Sequence, residues 1–293
     1  MKQSILHSIF WLLISFQIGI AQRNMDDLFF IQGSNYYNAA YAPTHTDSAD
    51  FKAAVDTRTF LRYVPNNIGQ IVVPNLTYQA FVKMQNVTLT YNYNLQPLTF
   101  TKNNELGLGF IYTIPFTTQH KLSFGVRGSF GIYNLKRFNE IGFIDIEKSK
   151  KWTMLGDFDL GIHYFIKRFE LGISTKNILA SKYAPDDILF RTDREIYLQL
   201  AYNFLLGKRK NYSLKISVFT APLYWLNSYL SFNLGIYKKA YFQFTISAKD
   251  ISNQFSFGYD FRIGENPLSL GLAFTQSLIA KNYNFGLRIA YKF

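Results

Sequence analysis

The sequence predicts an all-β protein, an antiparallel transmembrane β-barrel of the outer-membrane type with about fourteen strands. Three observations support this prediction: apolar and polar residues alternate almost continuously from residue 57 onward, aromatic residues are abundant, and the connections alternate between short and long. Aromatic residues make up 18% of the chain, yet its mean hydropathy is near zero. This combination suits strands that have one apolar face and one polar face.

Residues 1–21, "MKQSILHSIFWLLISFQIGIA", have the pattern of a secretory signal peptide, with Lys2, an apolar stretch and small residues before Gln22. We expect cleavage after Ala21. The alternative is a membrane-anchoring helix, but polar residues interrupt the apolar stretch, which falls short of the roughly 20 residues that a span requires. The sequence therefore predicts export across the inner membrane.

Residues 22–56 lack alternation and carry the Gly, Asn, Pro, Ser and Thr mixture that is typical of irregular structure. We expect this segment to lie in the periplasm or to plug the barrel, and residues 57–293 to form the barrel itself. Its strands are predicted at 57–63, 77–84, 87–95, 105–114, 121–134, 152–166, 169–177, 194–205, 212–220, 228–237, 241–248, 253–263, 267–276 and 283–293.

The alternation also predicts which side chains face lipid. In "QFSFGYDFRI", Phe255 and its alternate neighbours form an apolar face, so Asp260 and Arg262 on the other face should point into the lumen. A basic residue on the lipid face at mid-bilayer would cost roughly 2–4 kcal/mol. By the same reasoning Asp157, Asp159 and His163 should face the lumen. In "ELGLGFIYTI", only Ile111 breaks the pattern.

Connection lengths give independent support for a barrel. With the C-terminus placed in the periplasm, the periplasmic connections are predicted near 85–86, 115–120, 167–168, 206–211, 238–240 and 264–266. The external connections are predicted near 64–76, 96–104, 135–151, 178–193, 221–227, 249–252 and 277–282. Nearly all the long connections are external, as in outer-membrane barrels. A soluble sandwich or propeller would also alternate, but without this rhythm of two lengths.

The chemistry-bearing residues do not predict an enzyme. The chain has no Cys, and its four His residues show no metal-ligand spacing. His163 shares a face with Asp157 and Asp159, but barrel enzymes that act on lipid place a His and a Ser toward the lipid, whereas His163 has the opposite parity. We expect a lumenal polar network there, and no catalytic, cofactor-binding or metal-binding residue.

The formal net charge of +12 raises the question of nucleic-acid binding, because clustered Lys and Arg neutralise phosphates. The clusters here are short and dispersed, so nucleic acid is not predicted as a partner. The pairs and triplets at 167–168, 208–210 and 238–239 all fall in predicted periplasmic turns. They are either ordinary solvated turns or a docking surface for an acidic periplasmic partner.

Several motifs resemble those of the PorP/SprF family of outer-membrane proteins from the type IX secretion system of Bacteroidetes. The segment "FFIQGSNYYNAAYAP" resembles the family's early Asn-Pro-Ala-Tyr-Ala-Gly element, with Asn38, Ala40, Tyr41 and Ala42 at the matching positions and Ala39 and Pro43 departing from it. Further similar stretches are "NNELGLGFIY", "HKLSFGVRGSFGIY", "GIHYFIKRFELGIST" and "APLYWLNSYLSFNLGIYKKAYFQFTIS".

The resemblance implies a non-enzymatic outer-membrane component that assists export or surface anchoring of proteins such as gliding adhesins. It implies secreted cargo and other type IX secretion components, including periplasmic lipoproteins, as partners beside the outer-membrane lipid. The alternative function is a passive channel or a transporter of hydrophobic solutes.

The last stretch, "YNFGLRIAYKF", alternates strictly and carries Tyr291 and Phe293 on its apolar face. We expect this stretch to be the last barrel strand, which closes against the first strand. Its terminal aromatic residues, Tyr291 and Phe293, are predicted to be the signal that barrel-assembly machinery recognises.

Overall fold

The computed structural model describes residues 37–41, 52–66, 69–95, 104–134, 152–180, 182–183, 190–191, 194–207, 211–222, 228–237, 239–248, 252–263, 266–277 and 283–292. The predicted signal peptide, residues 1–21, lies outside these ranges. Within the described ranges, no helix has the length and apolar character needed to cross a membrane.

Fourteen strands pair into one closed barrel, and two short strands form a separate ribbon. The barrel strands are β1 (Ala53–Asn66), β2 (Gly69–Met84), β3 (Val87–Leu95), β4 (Asn104–Thr117), β5 (His120–Asn134), β6 (Trp152–Ile166), β7 (Phe169–Lys176), β10 (Glu195–Leu206), β11 (Tyr212–Thr220), β12 (Tyr229–Ile236), β13 (Ala240–Ser247), β14 (Ser252–Ile263), β15 (Asn266–Ser277) and β16 (Tyr283–Lys292). The ribbon consists of β8 (Lys182–Tyr183) and β9 (Phe190–Arg191). Each predicted strand corresponds to one barrel strand, so the predicted fold class is confirmed.

The barrel is closed by pairing between its first and last strands. β1 and β16 run antiparallel, from Ala54 opposite Lys292 to Tyr63 opposite Tyr283. The hydrocarbon region offers no hydrogen-bond partners, so an open sheet edge is not tolerated there. Closure pairs the backbone N–H and C=O groups of β1 with those of β16.

The connections differ in length between the two ends of the barrel. Connections 85–86, 118–119, 167–168, 207–211, 237–239 and 264–265 lie at one end, which we call the short-turn end; β1 begins and β16 ends there. The opposite end, the long-loop end, carries the longer connections 96–103, 135–151, 177–194 and 221–228 and the shorter ones 67–68, 248–251 and 278–282. The four longest connections all lie at the long-loop end, as predicted, whereas the predicted loop 64–76 is reduced to the connection 67–68. We expect the short-turn end to face the periplasm.

Two-residue turns at the short-turn end use left-handed backbone. Gln85 and Lys167 have φ angles of 53° and 54°. Positive φ is what tight hairpin turns require if their twist is to match that of the strands. The short connections therefore keep the flanking strands in register up to their ends.

The first hairpin corrects the sequence prediction. An external loop was predicted over residues 64–76, but β1 and β2 continue pairing through this region until Asn66 faces Gly69. Proline cannot donate to a strand ladder, yet Pro65 and Pro74 lie within strands, opposite Gln70 and Leu61. β1 also begins at Ala53 rather than at residue 57.

The two faces of the wall follow the predicted parity. Phe285 and Phe257 on the outer face are 59% and 57% exposed, whereas Asp159 and Gln254 on the inner face are 1% and 0% exposed. Ile111, the predicted exception, lies on the inner face and is fully buried. The lumen is therefore lined mainly by polar side chains, and the outer face is apolar.

Replacing Leu287 by Lys should impair barrel assembly. Leu287 lies on the outer face in the middle of β16, opposite Thr59 of β1, and is 45% exposed. A lysine at this depth would cost roughly 2–4 kcal/mol. Heat-modifiable migration of the barrel in outer-membrane fractions measures assembly.

The matched control is Val82→Lys, which places the same charge on the same face but near the end of β2. Its cost should be only about 0–1 kcal/mol, since the penalty falls toward the interface. Normal assembly of the Leu287→Lys variant would contradict the assignment of this face to lipid.

Candidate functional site

A short turn formed by Tyr37–Tyr41 is the most unusual feature of the lumen. Asn38, Ala39, Ala40 and Tyr41 are all buried, although they precede the first strand. The backbone N–H of Tyr41 donates to the carbonyl of Asn38 at 2.9 Å, and the N–H of Ala40 donates to the Asn38 side-chain oxygen, also at 2.9 Å. The turn is thus internally hydrogen-bonded through Asn38, a residue type that favours turns for this reason.

Two hydrogen bonds fix the turn to the barrel wall. The Asn38 Nδ2 donates to the carbonyl of Ile162 in β6 at 3.1 Å. The Ser174 hydroxyl of β7 donates to the carbonyl of Tyr37 at 2.6 Å. Both contacts satisfy polar groups that burial inside the barrel would otherwise leave without partners.

Three glycines provide the space that the turn occupies. Gly125 of β5, Gly161 of β6 and Gly172 of β7 all lie on the inner face of adjacent strands. A Cβ at Gly125 would overlap the backbone of Ala39 and Ala40, and one at Gly161 would lie 2.7 Å from the Ala40 nitrogen. A Cβ at Gly172 would lie 2.8 Å from the Asn38 Nδ2. We call these three residues the glycine cradle.

Aromatic side chains hold both ends of the turn. The ring of Tyr37 packs edge-on against Tyr197 and Phe219, with centroids 5.3 Å and 4.9 Å away. At the other end, Tyr41 packs edge-on against His163, 5.4 Å away. Such contacts add about 0.5–1.5 kcal/mol each beyond the area that they bury.

His163, Asp157 and Asp159 lie on the inner face, where His163 and the two aspartates make separate sets of contacts. His163 is fully buried and faces Tyr41, and its Nε2 lies 3.9 Å from Glu170 Oε2. Glu170 in turn accepts hydrogen bonds from Lys215 Nζ at 2.8 Å and 3.0 Å. The prediction that these residues belong to a lumenal polar network is confirmed.

The two aspartates hold the loop that follows β7. Asp157 accepts a hydrogen bond from the backbone N–H of Leu179, and Asp159 accepts one from that of Asn177, each at 2.9 Å. Asp159 also forms a buried ion pair with Arg127, whose Nε lies 2.8 Å from Oδ2. These carboxylates therefore fix the base of the 177–194 connection to the wall.

A second charged group lies at the seam between β1 and β16. Asp56 accepts hydrogen bonds from Arg58 Nε at 2.9 Å and from Arg288 NH2 at 3.0 Å. Arg58 and Arg288 face each other directly across the seam. The shared carboxylate offsets the repulsion between the two guanidinium groups where β1 and β16 meet.

The structure describes some of the site residues predicted from the sequence and not others. Asn38, Ala40 and Tyr41 lie together in the turn, whereas Ala42 and Phe293 lie outside the described residues. Tyr291 lies on β16, and its hydroxyl accepts a hydrogen bond from Asn266 Nδ2 at 3.3 Å. Its role in assembly stays a prediction. Among the described residues, no group of three or more His, Asp or Glu side chains could hold a metal ion.

The glycine cradle was not predicted from the sequence. A signal for it exists, because Gly125, Gly161 and Gly172 have inward parity on three consecutive strands. A single glycine of inward parity can also serve only to relieve crowding in the lumen. Gly109 is such a case, since a Cβ there would lie 3.0 Å from the carbonyl oxygen of Val126. The parity of these glycines does not indicate which segment of the chain packs against them.

Comparison with protein families gives one match. The profile described as "Type IX secretion system membrane protein PorP/SprF" matches residues 90–286. This range contains Gly125, Gly161 and Gly172 and begins after the Tyr37–Tyr41 turn. A search of curated proteins gives no match.

Among solved structures, the outer membrane protein Omp33 of Acinetobacter baumannii is similar, with a TM-score of 0.53 and 9% identity over 84% of this chain and 100% of that chain. The CymD monoaromatic hydrocarbon channel has a TM-score of 0.50 and 8% identity over 89% of this chain and 96% of that chain. At such low identity these similarities concern the fold, which is that of an outer-membrane barrel.

Replacing Gly125 by Ala should loosen the turn. Its new Cβ would overlap backbone atoms of Ala39, which cannot rotate away as a flexible side chain would. Overpacking of this kind costs typically about 1–3 kcal/mol. Hydrogen exchange measured by mass spectrometry should therefore show exchange about tenfold faster or more in peptides covering Tyr37–Tyr41.

Gly128→Ala is the matched control, because it makes the same change on the same strand. A Cβ at Gly128 would meet only the Phe158 ring at 3.7 Å, an ordinary contact. Its exchange should equal that of the unmodified protein. Equal protection of the turn in both variants would show that the cradle does not hold it.

Proposed function

Because this chain belongs to the PorP/SprF family of type IX secretion system membrane proteins, we propose that it assists the export or surface anchoring of secreted proteins such as gliding adhesins. It does so as an outer-membrane barrel with a cargo-facing end and a periplasmic end. Fold alone would not support this, since outer-membrane barrels serve many functions.

The position of the Tyr37–Tyr41 turn in the lumen is the main support for the proposed mechanism. It crosses the inner face of β5, β6 and β7 and is fixed there by hydrogen bonds, aromatic contacts and the glycine cradle. A lumen occupied in this way supports a plug role for part of residues 22–56. The cargo then passes beside the barrel or is retained at its surface, and the barrel itself is not the conduit.

The connections at the long-loop end are the proposed contact surface for cargo. The residues that begin the 177–194 connection are held by Asp157 and Asp159, and Arg194 Nε donates to the carbonyl of Ile178 at 2.8 Å. A fixed base limits the conformational entropy that this connection loses when it binds. Connection 135–151, which joins β5 and β6, is the second proposed contact.

The proposed role requires no catalysis. The lumenal His163 faces an aromatic ring, and the neighbouring aspartates bind backbone amides and an arginine. These groups act as structural supports for the turn and for the loop. The proposed partners are the secreted cargo, outer-membrane lipid, and periplasmic components of the secretion system, including lipoproteins.

Deletion of the gene should reduce secretion and surface retention of adhesins. Quantitative proteomics of the surface-exposed and culture fractions measures both. Expression of the unmodified protein, and of the Gly128→Ala variant as a folding-competent control, should restore them. Unchanged surface retention and secretion after deletion would contradict the proposed function.

The alternative function is a passive channel or a hydrophobic-solute transporter. Its support is the lumenal aromatic cluster of Tyr37, Tyr197, Phe219 and Tyr229, together with the fold similarity to the CymD channel. Aromatic rings in the lumen offer an apolar solute a surface to contact. In the present structure, however, Tyr37 of the turn already occupies the cluster.

Conductance separates the two functions. We expect the purified protein in planar bilayers to conduct little, and the Gly125→Ala variant to show larger or more frequent openings because its turn is displaced. The Gly128→Ala variant should match the unmodified protein. A large, steady conductance from the unmodified barrel would support the channel function instead.

A further inference from the structure

Both ends of the barrel carry many Lys and Arg residues, but the short-turn end carries few acidic residues beside them. Lys52, Lys83, Lys121, Lys239, Arg262 and Lys292 all lie where strands begin or end at this end of the barrel. They are spread around the circumference, on or beside β1, β2, β5, β13, β14 and β16. We call these six residues the basic rim.

The basic rim has inward parity. Lys292 is opposite the buried Ala54, and Lys83 is opposite the buried Thr88. Lys121 and Arg262 have the same parity as the buried Ser123 and Gln254 on their own strands. Because side chains alternate between faces, these cations belong to the mouth of the barrel and not to its lipid-facing wall.

The lipid-facing wall at the same end is aromatic. Phe116, Tyr237 and Phe261 are exposed there, at 59%, 58% and 44%. Aromatic belts are what outer-membrane barrels place at the membrane interface. Lipid headgroups at this end therefore meet aromatic side chains, whereas the cations of the basic rim surround the mouth. This arrangement favours a protein, and not a membrane surface, as the ligand of the basic rim.

Four of the six rim cations have no ion-pair partner within the described ranges. Among the described residues, none forms an ion pair with Lys52, Lys121, Lys239 or Arg262, and the nearby Asp260 accepts a hydrogen bond from Ser269. The turns at 167–168, 207–211 and 237–239 add further Lys and Arg residues in sequence, whereas the turn at 264–265 adds one acidic residue, Glu265. By contrast, the sequences of connections 135–151 and 177–194 mix both signs.

We propose that the basic rim is the docking surface for an acidic protein domain, which sits over the short-turn mouth of the barrel. The proposal rests on the proposed function in one respect, since a secretion component needs periplasmic partners. Clustered rim charges of one sign steer an oppositely charged partner and make its association dependent on salt. The partner is identified by its acidic surface.

The test uses the full-length barrel in nanodiscs of uncharged lipid. The probes are the purified soluble periplasmic domains of the type IX secretion components from the same organism, with phosphatidylglycerol vesicles as a separate probe. The rim variant combines Lys52→Gln, Lys121→Gln, Lys239→Gln and Arg262→Gln. The control variant combines Lys136→Gln, Lys148→Gln, Lys150→Gln and Lys151→Gln at the long-loop end, so the loss of charge is equal.

We expect an acidic domain to bind the unmodified barrel and the control variant equally. Binding to the rim variant should be at least about tenfold weaker. Raising the ionic strength from about 0.01 M to 0.15 M shortens the Debye length from about 30 Å to 8 Å and should weaken binding to the unmodified barrel. A rim variant with Glu at the same four positions should lose binding. Replacing acidic residues of the bound domain by Lys should restore its affinity for that variant.

Four results would overturn the proposal. The first three are no binding by any acidic domain, equal binding by the rim and control variants, and a rim variant that loses only vesicle binding. The fourth concerns Asp47 and Asp50, which precede Lys52 in the sequence: binding that appears only after Asp47→Asn and Asp50→Asn. The last result would mean that the chain's own segment occupies the rim. Normal secretion after gene deletion would contradict the proposed function instead, whatever the rim binds.

Discussion

The structure depends on the closure of the sheet between β1 and β16. In a hydrocarbon environment, each backbone N–H and C=O must be paired within the protein, so the last strand has to meet the first. The pairing extends from Ala54 opposite Lys292 to Tyr63 opposite Tyr283. On the inner face of this seam, Asp56 is shared by Arg58 and Arg288. A barrel that closes in one register also fixes the face of each side chain around its circumference.

Closure explains why the two faces carry such different chemistry. Outside, exposed aromatic and aliphatic side chains meet lipid; inside, polar side chains must find partners in a confined space. They do so in local groups, such as Gln243 with Ser231 and Thr245, whose atoms lie 3.0–3.2 Å apart. The turn at Asn38 belongs to the same system, because its amide satisfies both its own backbone and the wall.

Alternation in the sequence was sufficient to predict the strands, their faces and the short and long connections, because a period of two is a direct consequence of strand geometry. It failed over residues 64–76, where β1 and β2 pair beyond the ends predicted for them. It also could not predict what fills the glycine cradle. Parity places Gly125 and Gly161 on the inner face, but the contact with Ala40 joins segments that are far apart in sequence, and no local pattern encodes such a contact.

The distance along the chain between the turn and its cradle has a consequence for folding order. Asn38 is separated by 124 residues from Ile162, and Tyr37 by 137 residues from Ser174. Contacts of such high order form late, because the entropy of closing a long loop is lost before any contact compensates for it. The turn precedes every strand in the sequence, yet it has no binding surface until β5, β6 and β7 have paired. Docking of the turn therefore serves as a marker of completed wall formation, and a partly assembled barrel would be distinguishable by its undocked N-terminal segment.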